Sequence, residues 1–140
     1  MPKLPFYLQD CKVFLLAKAY QKAHGELKKR LFPYRMTNMQ NLVLEGLWYK
    51  KGVTATKLGK LLTLDKATLS VVLDRMEKDG WIVKRQSLED RRLFLLYPTK
   101  KANRMKKKLV KARKEANEKL LEKLSQVEKI LLGRMLRNLI

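Results

Sequence analysis

The sequence predicts a mainly helical, α+β fold: a winged helix-turn-helix flanked on both sides by long helices. Three observations predict it. Two short, separately capped apolar helices lie around a brief break between Thr54 and Met76. Gly80 stops the second of them, and two apolar strand-like runs, Trp81–Arg85 and Leu93–Tyr97, follow at once on either side of a charged loop. Apolar residues also recur at three- and four-residue steps through both ends of the chain.

Taken in order, Val13, Leu16, Ala17, Tyr20, Ala23, Leu27 and Leu31 mark one face of a single helix from about Tyr7 to Phe32. Leu8, Cys11, Leu15 and Ala19 mark a neighbouring face, and two apolar faces imply two surfaces to bury, one of them on another subunit. Pro33 ends that helix. Thr37, with Gln40 three residues on, forms a capping box that opens the next, whose Met39, Leu42, Val43, Leu47 and Trp48 make it amphipathic and which Lys50-Lys51-Gly52 closes. Thr54 caps a short helix carrying Leu58, Leu61 and Leu62. Asp65 caps its successor, which buries Leu69, Val72, Leu73 and Met76 and turns Lys66, Ala67, Ser70 and Asp74 outward, with Thr68, Val71 and Arg75 on the flanks. After the hairpin, Pro98-Thr99 starts a helical region along Met105, Leu109, Ala112, Ala116 and Leu120. Ser125 and Glu128 make a second capping box for a last helix that stays apolar to Leu139-Ile140, an end that calls for a docking surface.

Composition narrows the function. The 140 residues suit one domain, with 46% hydrophobic content and few Gly or Pro, so disorder is excluded. Lys and Arg number 33 against 13 Asp and Glu, a net charge of +20, which makes nucleic acid the leading partner and an anionic membrane surface the second. Charge alone also suits a Lys-rich soluble surface, but here it gathers between Lys100 and Lys114 with no acid among it. That run reads equally as the solvated face of a long helix and as a source of backbone attraction to DNA. One cysteine excludes an internal disulfide. No apolar run reaches the ~18 residues of a membrane span, and Val13–Ala17 followed by Lys18 is not a signal peptide, so a cytoplasmic protein without membrane association is expected. With no glycine-rich phosphate loop, nucleophile motif or paired carboxylates, neither enzymatic activity nor a cofactor is expected. His24 is alone and has no partners at metal spacing, so no metal is expected either.

A plain hairpin needs only a tight turn, so Glu89, Asp90, Arg91 and Arg92 at its tip serve something else. In a winged helix the second helix enters the major groove and the hairpin tip meets the adjoining backbone or minor groove, where the potential is most negative. Arg91 and Arg92 are placed for that, and Asp90 can hold one guanidinium in position beforehand.

Leu73-Asp-Arg-Met-Glu-Lys-Asp-Gly-Trp-Ile-Val-Lys-Arg85, then Glu89-Asp-Arg-Arg92, then a Leu-rich strand ending at Thr99, closely resembles the MarR family of transcription regulators. The likeness covers nearly the whole chain and is most specific from Val53 to Thr99. It implies a homodimer in which the first helix and the last two form a dimerization layer (1–36 and 100–140) above two winged helix-turn-helix parts (37–99). It implies a pseudo-palindromic double-stranded DNA operator, most often repressed and released by small phenolic or lipophilic ligands or by oxidation. Carried over by position, Lys66, Ala67, Thr68 and Ser70 would lie at the major groove, Arg75 near phosphate, and Asp90 and Arg92 at the wing tip. Pro98, where the family usually has Leu, and Ala102, where Gly is common, bear on how the next helix begins.

Tyr20, Tyr34, Arg35 and Trp48 offer aromatic walls and a cation for an effector crevice, although any helix-rich domain supplies such a group. Cys11 has two readings: one branch of the family senses organic hydroperoxides through a cysteine on the first helix, displaced here by about two residues, while an isolated cysteine on an apolar stripe is ordinarily core. Two readings outside sequence-specific regulation stay open: a non-specific architectural DNA-binding protein, and a winged-helix module for an acidic protein partner.

Overall fold

Capping and glycine stops set most element boundaries in the computed structural model, which describes residues 3–140. The order is α1 (Phe6–Gln9), α2 (Lys12–Leu31), a 3-10 turn (Phe32–Tyr34), α3 (Asn38–Tyr49), α4 (Ala55–Leu62), α5 (Lys66–Lys78), β1 (Ile82–Gln86), β2 (Phe94–Pro98), α6 (Lys100–Leu120) and α7 (Gln126–Leu139). Both capping boxes form: Thr37 with Gln40 opens α3, and Ser125 with Glu128 opens α7.

Two corrections apply to the sequence reading. The first helix is not continuous, because the chain leaves helical geometry at Asp10 and Cys11. Lys12 Nζ bonds back across this break to the Asp10 carbonyl at 2.9 Å and to its carboxylate at 2.6 Å. Cys11 therefore lies in a break rather than on a helix. The wing strands also begin one residue later than expected, at Ile82 and Phe94.

The chain divides into two compact units. Residues 31–111 form the first, where Val43, Leu44 and Leu47 of α3, Leu58 of α4, and Leu69, Leu73 and Met76 of α5 join Ile82 and Leu96 of the wing in one buried core. The two strands pair antiparallel from Ile82↔Pro98 to Gln86↔Phe94. Val53 adds a bridge to Leu96, fixed by Gly52 N–H to Leu96 O and Leu96 N–H to Val53 O, both 2.8 Å. Gly52 has φ +73°, and a Cβ there would lie 2.9 Å from the Tyr97 hydroxyl oxygen. Gly52→Ala is expected to cost about 1–3 kcal/mol through the left-handed backbone and this clash. Urea denaturation measures it; an unchanged midpoint would contradict the close approach.

Pro98 and Ala102 are accommodated without distortion. Pro98 closes the strand ladder, and Ala102 is fully buried. Between them the Thr99 hydroxyl donates to Gly80 O at 2.7 Å and accepts from Ala102 N–H at 3.2 Å, so one side chain caps α6 and ties it to the end of α5.

The second unit comprises α1, most of α2, the end of α6, and α7. Glu26 and Arg30 pair on α2; this hydrogen bond lowers the Glu26 carboxyl pKa. The apolar stripes of this unit are largely open to solvent in the single chain: Val13 is 80% and Val127 66% exposed, with Tyr20, Ile130, Met135 and Leu139 also exposed. No helix among the described residues is long and apolar enough to cross a membrane.

Candidate nucleic-acid interface

Helix α5 is built from its cap. Asp65 accepts from Thr68 N–H at 2.8 Å and from the Thr68 hydroxyl at 2.7 Å, and these bonds hold the Asp65 carboxyl below its ordinary pKa. With its first turn fixed, α5 leaves Lys66, Ala67, Thr68, Ser70, Val71 and Arg75 exposed and buries Leu69, Leu73 and Met76. The predicted outer face is therefore present, with one modification: the Thr68 hydroxyl proton is already committed to Asp65.

The wing is tied to this helix by a contact that the sequence did not announce. Lys84 on β1 places its ammonium 2.9 Å from Asp74 and 3.8 Å from Glu77, and the Asp74 carboxyl pKa is lowered chiefly by the Lys84 hydrogen bond. The pair is ten residues apart in the chain, beyond any helical or hairpin spacing rule, so no local signal could have found it. An apolar cleft of about 770 Å³ lies alongside, lined by Gly59, Leu64, Leu69, Leu73, Phe94 and Leu96 among others.

At the wing tip, Asp90 receives the Arg92 guanidinium through two parallel bonds of 3.0 Å, plus the Arg92 backbone N–H at 3.0 Å. Asp90 is held below the usual carboxylate range by the Arg92 side chain first, and Arg92 is raised in turn. Because the folded pKa of Asp90 is depressed, the pair persists above the ordinary carboxylate range and is lost as pH falls through that depressed value. The loop around it is closed by Ser87 N–H to Leu93 O at 2.9 Å, Asp90 N–H to the Ser87 hydroxyl at 3.3 Å, and the Gln86 amide to Arg91 O at 2.7 Å. Arg92, 89% exposed, is thus a projecting cation with a fixed fork, and Arg91 is exposed beside it.

The chain as a whole has known relatives. The sequence profile of the MarR family matches residues 36–94. The organic hydroperoxide resistance transcriptional regulator of Bacillus subtilis (strain 168) is 34% identical over 103 residues, 74% of this chain and 70% of that protein. The chain belongs to the MarR family. Its fold agrees with MarR-family structures along nearly its full length. A probable transcriptional regulator from Pseudomonas aeruginosa superposes with a TM-score of 0.89 at 26% identity, covering 95% of this chain and 99% of that one. A mutant MarR from E. coli, complexed with operator DNA, shares the fold with a TM-score of 0.87 at 22% identity, covering 98% and 99%.

Among the residues singled out as effector or redox positions, Tyr34 and Arg35 share a cavity that Trp48 does not line. Trp48 donates its indole N–H to Asn103 at 3.0 Å, with Lys106 over its ring at 5.9 Å. The cavity of Tyr34 and Arg35 is also lined by Trp81, Lys101 and Arg104, a grouping assembled from separate elements that sequence spacing missed. Tyr20, on α2, lies with its hydroxyl 3.4 Å from His24 Nδ1. Cys11 is half-buried.

Proposed function

We propose that this MarR-family chain is a homodimeric repressor that reads a pseudo-palindromic operator in double-stranded DNA. The observation that carries the reading is the pairing of the exposed α5 face with the pre-oriented Arg92. Lys66, Ala67, Thr68 and Ser70 present short and cationic groups of a size suited to base edges, and Arg75 serves phosphate. The Asp90 fork lowers the entropy that Arg92 would otherwise lose on entering a groove, while Arg91 adds charge beside it.

Dimerization follows from the solvent-facing apolar residues of α2 and α7, which a second copy would cover. A two-fold pair presents two α5 helices to half-sites about 34–36 Å apart, and hence reads an inverted repeat. Release by a small phenolic or lipophilic effector is the accompanying proposal, and Tyr20, Tyr34, Arg35 and Trp48 are its first mutational targets. Arg92→Ala is expected to weaken operator binding about tenfold or more and to lower the salt slope by about one per wing, leaving the dimer intact. Fluorescence anisotropy across a salt series, with sedimentation for the dimer, measures both. Unchanged affinity would remove the wing from the mechanism.

The basic stretch on α6 supports a second reading, a non-specific architectural DNA-binding protein. Competition with random-sequence duplex separates the two, since only a site-specific regulator keeps a large preference for one sequence.

A further inference from the structure

Apart from the α5 face and the wing tip, residues 31–111 hold a second concentration of charge, where Lys101 and Arg104 join Tyr34 and Arg35 of the proposed effector set, on which the following inference partly rests. Tyr34 and Arg35, following the 3-10 turn's first residues, face Asp79 and Trp81 after α5, and Lys101 and Arg104 on the first turns of α6, around a cavity of about 530 Å³. Three cations line it against one acid, Asp79. The Lys101 ammonium is fixed by donating to Asp79 O at 2.9 Å while lying 4.1 Å from the centroid of the Trp81 ring. An ammonium has three N–H donors, so Lys101 keeps donors for a ligand. Neither the Arg35 nor the Arg104 guanidinium has a hydrogen-bond or ion-pair partner among the described residues, and three cations left close together repel one another unless an anion joins them. Arg35 is also held at φ 52°, ψ 42°, a left-handed conformation that is strained for a side-chain-bearing residue and that accumulates at ligand sites.

We propose that this cavity binds a small organic phosphate monoester through Arg35, Lys101 and Arg104. The charge balance decides the class. A phosphate monoester above its second pKa of about 6 carries two negative charges and three acceptor oxygens, which match the cationic excess; a monocarboxylate supplies one charge and two oxygens. Tyr34, Trp81 and Met105 in the lining give the organic part apolar neighbours, and the volume is in the range of small-molecule sites. This inference does not depend on DNA recognition, because none of the three cations belongs to the α5 face or the wing tip.

The test uses phenyl phosphate, with benzoate and inorganic phosphate as comparison probes, at about pH 8 where the ester is a dianion. With Trp48→Phe, Trp81 is the sole remaining tryptophan and its emission reports the cavity directly. Calorimetry on the unsubstituted chain gives the same constants if the Trp48 substitution disturbs the fold. Phenyl phosphate is expected to bind saturably, about tenfold more tightly than benzoate and more tightly than inorganic phosphate, and Arg104→Gln is expected to weaken it about tenfold with unchanged circular dichroism. Arg104→Lys should restore part of the loss. Equal affinity for phenyl phosphate and benzoate, or no change in Arg104→Gln and Arg35→Gln alike, would overturn the proposal. So would displacement of phenyl phosphate by a random duplex whose own affinity falls equally in Arg104→Gln, which would make the patch a DNA-backbone contact. Each of these failures leaves operator recognition by α5 and the wing standing.

Discussion

Raising salt from about 50 to 200 mM is expected to weaken operator binding about 10³- to 10⁵-fold, provided each dimer neutralises about 6 to 10 phosphates. The expectation rests on where the charge lies. Each chain carries +20, and the cations that meet DNA in this reading, Lys66 and Arg75 on α5 with Arg91 and Arg92 on the wing, are all exposed. Each cation that neutralises a phosphate frees a counterion condensed on the duplex, and the gain from that release shrinks as salt rises. The screening length falls to about 8 Å at physiological ionic strength, so remote lysines lose influence before those in contact. A titration of operator affinity against salt gives the slope directly. A slope near zero would mean that charge is not used for nucleic acid, and would favour an acidic protein partner contacted through few ions.

The other large effect lies in the core. Leu58→Ala is expected to cost about 2–5 kcal/mol of folding stability, a sizeable share of the ~5–15 kcal/mol typical of a domain. Leu58 is fully buried on α4 and packs where α3 has only Gly46: a Cβ at that glycine would lie 3.0 Å from the Leu58 side chain and 3.1 Å from that of Leu62. This close approach of α3 and α4 leaves little room for neighbours to refill the volume that alanine vacates. Urea denaturation of the purified protein measures the change. A loss under about 1 kcal/mol would mean that the surrounding helices collapse into the space more readily than their backbones suggest.

Sequence reading was most successful where one or two side chains decide a boundary locally. The Thr37–Gln40 and Ser125–Glu128 boxes, the Thr54 and Asp65 caps and the Gly80 stop each act within about one helical turn, so their geometry is nearly a property of the sequence itself. The Asp90–Arg92 fork was legible for the same reason, being two residues apart, although the sequence did not decide between Arg91 and Arg92. The break at Asp10–Cys11 was not legible, because the apolar period runs straight through it and neither glycine nor proline marks it. Hidden too were the Lys84 brace and the cluster of Arg35, Lys101 and Arg104, whose members meet only once several elements have packed.

Thr99 has a consequence for cooperativity. Its hydroxyl joins the Gly80 carbonyl to the Ala102 amide, so the hairpin cannot fray from its base without also releasing the opening turn of α6. Amide hydrogens at Thr99, Ala102 and Asn103 should then exchange with solvent as one event, and the hairpin and that turn would swing together as a lever instead of loosening one at a time.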